Sequence, residues 1–260
     1  MRRPTPEKFI KDIARQAGDA VLKRFGKDGV HYSKSKEMWD VVTKADLMSE
    51  KIIIDAIRKN FPDHGILAEE GGGSHEGSEY VWIIDPIDGT LNFSRKVPMF
   101  GVMICFVERG EVVLSVIYMP AMGEFFFAKK GKGAFLNGKR IQCSQKKELD
   151  QSYGTGSAGF RLRNATLIKN IMKEIGTNTI QFGSFGAMSA NVALVAAGRR
   201  DWIIPLAGAI WDFAPASLIL QEAGCTITDT KGNPWKLGMI EMVAANPTLH
   251  KELLTLTADV

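Results

Sequence analysis

The stretch Val81–Phe93, "VWIIDPIDGTLNF", places two aspartates three residues apart at the end of an apolar run. The run predicts a buried strand, so Asp85 lies where the strand leaves the core and Pro86 turns the backbone. Asp88 then lies across that turn from Asp85. Two ionised carboxylates that point together repel each other unless a cation or a proton lies between them, and their oxygens suit Mg²⁺, Mn²⁺ or Ca²⁺.

Gly89 and Thr90 follow directly. A helix or turn that starts there would direct free N–H groups at whatever the metal holds, and glycine lets the backbone approach an anion closely. A phosphate would satisfy both the metal and these N–H groups. The alternative is a plain surface turn, because Asp, Pro and Gly are all turn formers. The motif alone does not decide between the two.

Further acidic residues recur where apolar segments end, namely Asp46, Glu69, Glu70 and Asp212. Asp46 and Asp212 lie at predicted helix starts, where each could simply complement the helix dipole. Glu69 and Glu70 precede a run of glycines and could belong to a solvent-facing loop. Taken together, these acids form the pattern that a metal cluster assembled from strand and helix ends requires.

Composition limits the class of protein. The chain has 260 residues, 45% of them apolar and 24% charged, which is ordinary for a soluble globular protein. Its net charge of +4 is scattered, which favours an anionic small molecule over nucleic acid as partner. Three cysteines without CxxC spacing favour the reducing cytoplasm. Without a signal-like or membrane-length apolar segment, we expect a cytoplasmic protein with no membrane and no nucleic-acid partner.

The apolar periodicity predicts the order of the secondary structure. Helices are expected over about 6–25 and 44–61, with the polar segment 31–40 between them as a loop. From Met99 to Ile141 the sequence predicts antiparallel strands joined by tight turns. Beyond the polar residues 148–152, strands and helices alternate. We therefore predict an α/β (α+β) chain.

Two intimately packed halves are expected, residues 1–148 and 149–260. The first half would carry most of the metal ligands, and the second would complete the site, so that the two form one catalytic unit. A hairpin-rich middle flanked by helical layers indicates a layered sandwich.

Two segments, "WIIDPIDGTLNF" and "WDFAPASLILQEAG", resemble the signature motifs of the inositol monophosphatase family of Mg²⁺-dependent, lithium-sensitive sugar-phosphate phosphatases. The segments "DVVTKAD", "LAEEG" and "KGAFLNGKRI" follow the order of that family, so the resemblance is close to full length. It implies an α-β-α-β-α sandwich of the sugar phosphatase type and a homodimer. The apolar strand residues between Phe100 and Phe127, which look exposed, leave room for such an interface.

The resemblance also assigns roles to residues. Two or three Mg²⁺ ions, with Mn²⁺ as a substitute, would be held by Glu69, Asp85, Asp88, Asp212 and the backbone carbonyl of Ile87. The predicted catalytic residues are Thr90, Asp46 and Glu69, with Thr90 and Asp46 orienting the attacking water. The predicted substrate and phosphate ligands are Asp88, Gly89, Thr90, Ser157, Arg161, Met188 and Asp212. The implied chemistry is metal-assisted hydrolysis of a phosphate ester without a phosphoenzyme.

The leaving-group end departs from the pattern of the family. Members specialised for inositol phosphate carry a glutamate seven residues before the aspartate of "WD", and here that position is Pro205. Arg161, Arg163, Arg199 and Arg200 could receive a second phosphate, or they could form a solvated face.

The predicted function is hydrolysis of the phosphate monoester of a small sugar or polyol. Inositol monophosphate and fructose 1,6-bisphosphate are the main candidates. A 3′-phosphoadenosine phosphate and histidinol phosphate stay open as substrates. A non-catalytic or moonlighting regulatory binding protein on the same fold is the alternative from another class.

Overall fold

The computed structural model describes residues 3–36, 40–71, 77–156, 162–175, 180–258 and 260. Its helices are α1 (Pro6–Arg24), α2 (Lys44–Asn60), α3 (Thr90–Ser94), α4 (Leu162–Ile175), α5 (Met188–Ala196), α6 (Ile210–Glu222) and α7 (Pro247–Leu256). Its strands are β1 (Val30–Ser33), β2 (Val41–Thr43), β3 (Gly65–Ala68), β4 (Tyr80–Asp88), β5 (Gly101–Glu108), β6 (Glu111–Met119), β7 (Glu124–Lys129), β8 (Gly133–Leu136), β9 (Lys139–Ile141), β10 (Tyr153–Thr155), β11 (Gln181–Gly183), β12 (Trp202–Ile203), β13 (Thr226–Thr228) and β14 (Val243–Ala245).

These elements form five layers. Helices α1 and α2 cover the outer face of a seven-stranded sheet of order β3-β4-β5-β6-β7-β8-β9. Helices α5 and α6 fill the middle layer, and a five-stranded sheet of order β11-β10-β12-β14-β13 follows. Helices α4 and α7 cover the outer face of that second sheet. The predicted α-β-α-β-α sandwich is confirmed.

The larger sheet is built from hairpins. All its neighbouring strands pair antiparallel except β3 and β4, which are parallel. At the turns, Arg109 and Gly110 have φ of 50° and 81°, and Asn137 and Gly138 have φ of 49° and 80°. Two successive positive φ angles are what tight hairpin turns between twisted strands need, so the sequence predicted these hairpins correctly.

Helix α1 shows why the outer layer packs closely. Thr5 caps its N-terminus by accepting a hydrogen bond from the Lys8 amide, and Pro6 begins the helix. One face is buried against the sheet. A Cβ added at Gly18 would lie 2.3 Å from the ring of Tyr118 in β6, so only glycine lets the helix approach this strand.

Two local predictions were wrong. The polar segment expected as a loop begins within β1, which pairs antiparallel with β2 directly after that segment. The chain also does not leave the sheet at Pro86, because β4 continues to Asp88 through a register shift against β5. Polar composition concealed the hairpin, and a proline that occupies a bulge needs no ladder hydrogen bond there.

The apolar strand residues between Phe100 and Phe127 do not form an exposed surface. Most of them are buried within the chain, those on one face of the sheet under α1 and α2 and those on the other under α5 and α6. The sequence argument for a dimer interface there was therefore wrong, because it ignored the helical layer on each side. Within the described ranges, no helix is both long enough and apolar enough to cross a membrane.

Candidate metal and phosphate site

Three carboxylates from both halves of the chain meet at one point. Asp85 and Asp88 come from the end of β4, and Asp212 comes from the first turn of α6. One oxygen from each lies within 4.8 Å of the others. Asp85 and Asp88 are only 2% and 7% exposed. We call these three residues the acidic centre.

The bulge in β4 explains how Asp85 and Asp88 come together. Side chains three residues apart on a regular strand point to opposite faces. Asp85 lies opposite Met103 and Asp88 opposite Gly101, and the register shifts between these two pairs, which re-aims the side chains. Ser49 of α2 fixes the bulge by donating its hydroxyl hydrogen to the Pro86 carbonyl at 2.9 Å.

The start of α6 orients Asp212. Its Oδ2 accepts a hydrogen bond from the Ala209 amide at 2.6 Å, as an acidic residue in a first helical turn often does. Gly208 precedes this turn with φ of 153°, and a Cβ there would lie 2.7 Å from the same Asp212 oxygen. The glycine therefore makes room for the carboxylate.

The first turn of α5 holds Asp88. Its Oδ1 accepts a hydrogen bond from the Met188 amide at 2.9 Å, and its Oδ2 accepts one from the Ser189 amide at 2.6 Å. The Ser189 hydroxyl also donates to Oδ2. A residue of the first half of the chain is thus held by the second half.

Burial raises the pKa of every carboxyl in the acidic centre. It raises the pKa of Asp88 to about 6, and together with the charge of Asp88 it raises the pKa of Asp212 to about 8. The pKa of Asp85 is well above its ordinary value because of burial and the neighbouring charges of Glu69, Asp88 and Asp212. Without a cation, the centre is held together by protons in place of positive charge.

The centre fits a hard divalent cation. Oδ1 of Asp85 is buried and has no hydrogen-bond partner among the residues that the structure describes. A buried carboxylate oxygen without a partner is costly unless something else satisfies it. Several carboxylate oxygens at one point are the donor set that Mg²⁺ and Mn²⁺ prefer.

Glu69 and Glu70 lie next to this centre, directly after β3. The Lys34 ammonium, which follows β1, lies 2.9 Å from an Oε1 of each glutamate. Burial lowers the pKa of Lys34, but the charge of Glu69 and the hydrogen bonds to both glutamates outweigh it and raise the value. Burial raises the pKa of Glu70 to about 7.

Thr90 and Asp46 lie within hydrogen-bond distance of each other. The Thr90 hydroxyl lies 2.9 Å from Oδ1 of Asp46 and 2.9 Å from the Ile87 carbonyl oxygen. Asp46 is fully buried, and its Oδ2 accepts hydrogen bonds from the amide and hydroxyl of Thr43 at the start of α2. Burial raises the pKa of Asp46 to about 6. Asp46 therefore caps the helix and also contacts Thr90.

Gly89 gives the chain its turn between β4 and α3. Its φ is 85°, a left-handed conformation that glycine adopts without strain. A Cβ there would lie 2.9 Å from both the Ala187 side chain and the Met99 carbonyl oxygen, so the position has no room for a side chain. Thr90 then begins α3, so the structure has a helix at the point where the sequence left a helix or a plain turn open.

The other predicted substrate residues are distributed differently. Met188 lies at the acidic centre through its amide, whereas Ser157 and Arg161 lie outside the described residues, as does the side chain of Arg163. Arg199 is 2.7 Å from Glu124, at the start of β7.

Arg200 and Pro205 are both buried. The Arg200 guanidinium lies 3.1 Å from the ring centroid of Tyr153 and 5.0 Å from that of Phe185. The Pro205 carbonyl accepts a hydrogen bond from the Met242 amide. Both arginines before "DW" therefore already contact other groups of the protein, and neither stands free to bind a second phosphate.

Sequence reasoning missed two residues of the site. Lys34 stands in a polar segment with several similar residues, and nothing in that segment singles it out. Ser189 has a weak signal, because a hydroxyl residue at a helix start often binds an acceptor or donor nearby. The small-residue composition of "GAMSANVALVAAG" concealed that signal.

Comparison with known proteins supports the assignment that the motifs suggested. The model of the inositol monophosphatase family matches residues 5–260. The chain belongs to this family. It is 37% identical over 249 residues to the "Nus factor SuhB" of Pseudomonas aeruginosa, covering 93% of this chain and 92% of the relative.

Two further comparisons match Thermotoga maritima. A fructose-1,6-bisphosphatase/inositol-1-monophosphatase is 34% identical over 254 residues, covering 97% of this chain and 95% of the relative. A solved structure of a Thermotoga maritima IMPase superposes with a TM-score of 0.86 at 33% identity, covering 97% and 96% of the two chains. The fold and the family are therefore those of inositol monophosphatases, although several relatives in this family are named "Nus factor SuhB".

Proposed function

We propose that this protein is a Mg²⁺-dependent phosphatase that hydrolyses the phosphate monoester of a small sugar or polyol. The observation that carries the proposal is the buried Asp85 oxygen without a hydrogen-bond partner in the described part of the chain, in the midst of the acidic centre. The centre, with Glu69 and the Ile87 carbonyl, would hold two or three Mg²⁺ ions, or Mn²⁺ in their place. When bound, Mg²⁺ would neutralise the negative charge of the phosphate oxygens and would lower the pKa of a bound water.

Thr90 and Asp46 would orient the attacking water. A single hydroxyl hydrogen on Thr90 faces two acceptors, Asp46 and the Ile87 carbonyl, so one of them always receives it. The oxygen of Thr90 then keeps a lone pair that can accept a hydrogen bond from water. The N–H groups of Gly89 and Thr90 would bind the phosphate, where the absence of a side chain at Gly89 allows close approach.

The two halves of the chain would act as one catalytic unit. The support is the bond between Asp88 of residues 1–148 and the first turn of α5 in residues 149–260. A homodimer is proposed from the family alone. A cytoplasmic location is in keeping with three cysteines that are all buried and free.

Inositol monophosphate and fructose 1,6-bisphosphate are the proposed substrates. Support comes from the Thermotoga maritima relative whose name includes both activities. Pro205 offers no side-chain acceptor where inositol-specific members carry a glutamate, so we propose broad specificity. Ser157 and Arg161 remain proposed substrate ligands. A 3′-phosphoadenosine phosphate or histidinol phosphate would be detected in the same assay.

A regulatory binding role is the second candidate. Its support is the name "Nus factor SuhB" of relatives that are 34–37% identical to this chain. That name does not support the expectation that nucleic acid plays no part, so the transcription machinery or RNA stays open as a partner. The intact acidic centre and the Thr90–Asp46 pair favour catalysis, because a purely binding role does not require them.

A phosphate-release screen separates these functions. The purified protein is incubated with each candidate phosphate ester, with Mg²⁺ and with excess EDTA. We expect release that requires Mg²⁺ and returns when Mg²⁺ is restored. Release that persists in EDTA would contradict the metal mechanism, and no release from any ester in Mg²⁺ or Mn²⁺ would favour the regulatory role.

A further inference from the structure

We propose that Ser189 is a positioning residue for Asp88, and that its hydroxyl sets the affinity of the acidic centre for divalent metal. The inference rests on the proposed function, in which Asp88 is a metal ligand. It adds a residue outside both signature motifs. Ser189 itself would contact neither the metal nor the substrate.

Asp88 differs from its two neighbours in how many donors hold it. Three donors from α5 contact its carboxylate, two amides and the Ser189 hydroxyl. Asp212 accepts one amide, and Oδ1 of Asp85 has no partner in the described part of the chain. Asp88 is therefore the carboxylate whose orientation is fixed before any metal arrives.

The hydroxyl adds what the helix N-terminus cannot provide alone. The two amides each satisfy one lone pair, one on Oδ1 and one on Oδ2. The Ser189 hydroxyl gives Oδ2 a second donor, so the lone pairs that remain free belong mainly to Oδ1. Oδ1 would thus be the ligand atom, and rotation of the carboxylate about its own axis would break three hydrogen bonds, two of them at Oδ2.

Gly101 makes this contact possible. It lies opposite Asp88 in the β4–β5 register. A Cβ at Gly101 would lie 2.9 Å from Cβ of Ser189, closer than a Cβ packs in proteins, and 3.0 Å from its Oγ, which is also a tight contact. The missing side chain on the neighbouring strand therefore leaves the space in which Ser189 reaches Asp88. The backbone of Gly101 needs no positive φ, so the requirement is one of space.

Residues that hold a metal ligand in place commonly change metal affinity by about 10- to 100-fold when they are removed. Loss of the Ser189 hydroxyl should have an effect of this size. It should act on metal affinity and not on the chemical step, because Thr90 and Asp46 are unchanged. At saturating Mg²⁺, kcat should therefore approach that of the native protein.

The test is calorimetric titration of the substrate-free protein with Mg²⁺, for the native chain and for Ser189→Ala. We expect about 10-fold or greater loss of Mg²⁺ affinity in the variant. Ser189→Cys, a side chain of similar size with a weaker donor, should give an intermediate affinity. The matched control is Ser152→Ala, which removes another buried hydroxyl, one that accepts a hydrogen bond from Trp202.

The outcomes keep this inference separate from the proposed function. Native Mg²⁺ affinity in Ser189→Ala, or an equal loss of affinity in Ser152→Ala, would overturn the role of Ser189. Either result would leave the phosphatase proposal standing if the native protein still releases phosphate only with Mg²⁺. A kcat that stays low at saturating Mg²⁺ would also overturn the role, because it would place Ser189 in the chemical step. Absence of Mg²⁺ binding by the native protein would instead contradict the proposed function itself.

Discussion

The acidic centre and the predicted leaving-group side, which consists of Pro205, Arg199 and Arg200, differ in how directly the structure indicates their chemistry. At the acidic centre, two buried carboxylates and the half-buried Asp212 converge and their pKa values are raised, as expected of like charges that need a cation or protons between them. On the leaving-group side, Pro205 is buried with its carbonyl bonded, Arg199 is paired with Glu124, and Arg200 lies against aromatic rings.

This difference separates reaction class from substrate. Convergent like charges are costly to a fold, so their presence indicates a specific ligand. Side chains whose charges or hydrogen bonds are already satisfied within the protein do not indicate a specific ligand. Substitutions at the acidic centre should therefore abolish the reaction, whereas substitutions on the leaving-group side should only change which ester is preferred.

The largest effect is expected for Asp85→Asn. Loss of a metal ligand should lower Mg²⁺-dependent phosphate release by about 10³-fold or more, and it should raise the melting temperature of the metal-free protein, because an amide stays neutral beside Asp88 and Asp212 without binding a proton. Kinetics and thermal unfolding measure the two effects. Asp55→Asn, an exposed carboxylate of α2, is the control and should change neither. Normal turnover in Asp85→Asn would contradict the claim that the reaction requires the acidic centre, and the two regions would then not differ in this respect.

Thr90→Ala should have the next largest effect. Because the phosphate would still be held by metal and by amides, kcat should fall by about 10²- to 10⁴-fold with little change in KM or in Mg²⁺ affinity. Thr90→Ser keeps the hydroxyl and should retain most activity. A trapped phosphothreonine, or an unchanged kcat in Thr90→Ala, would show that Thr90 does not orient water.

The acidic centre should also make metal-free stability depend on pH. The folded-state pKa values of Asp88 and Asp212, about 6 and about 8, lie above the ordinary value of 3.8, so the folded state binds more protons than the unfolded state. In EDTA, the free energy of unfolding should therefore fall as the pH rises from 3.8 through about 6 and about 8.

Thermal unfolding with and without Mg²⁺ isolates this contribution, because groups elsewhere titrate in both samples. The increase in melting temperature on adding Mg²⁺ should grow between pH 5 and pH 8. Buried histidines, such as His250, act in the opposite direction but equally in both samples. An increase that is constant or shrinks over this range would mean that the carboxylates are ionised without metal.

A smaller effect is expected for Pro205→Glu. The native protein should cleave fructose 1,6-bisphosphate at least as efficiently as inositol 1-phosphate. A restored acceptor for the inositol hydroxyls should shift the ratio of kcat/KM towards inositol 1-phosphate by about 10-fold. Pro205→Ala, which adds no acceptor, is the control. A strong native preference for inositol 1-phosphate that Pro205→Glu leaves unaltered would mean that this position does not contact the substrate.

The smallest effect is expected for Arg199→Ala. Because Arg199 is paired with Glu124 and is partly exposed, its loss should cost only about 0.5 kcal/mol of stability and leave the substrate ratio unchanged. Steady-state kinetics with both substrates measure this. A selective loss of fructose 1,6-bisphosphate turnover would show that Arg199 leaves Glu124 to bind a second phosphate.

The fold was predictable where local signals agree with one another. Helices α1 and α2 carry caps and apolar periodicity, and Asn137-Gly138 adopts the positive φ angles that its turn requires. The β1–β2 hairpin was missed because β1 is exposed along its whole length and its buried partner β2 has only three residues, so no alternation of apolar and polar residues marks either strand. The bulge at Pro86 was missed because a proline that ends a strand and one that occupies a bulge look alike in sequence.

The site was predictable for residues that lie in motifs. Four aspartates stand where apolar elements begin or end, and the structure brings three of them together, Asp85, Asp88 and Asp212. It places the fourth, Asp46, in contact with Thr90. Ser189 could not be assigned to Asp88, because 101 residues separate them and only the packing of two layers brings them together. The direction in which the Arg199 side chain points also depends on tertiary packing, and the spacing of residues in the sequence does not predict it.

The most direct measurement of the central claim is an anomalous difference map from a crystal of this protein grown with Mn²⁺. We expect Mn²⁺ bound by oxygens of Asp85, Asp88 and Asp212, with metal–oxygen distances of about 2.0–2.3 Å. Oδ1 of Asp85, which has no partner among the described residues, should be one of the ligand atoms. An active protein whose crystals show no Mn²⁺ peak at these three aspartates would contradict it.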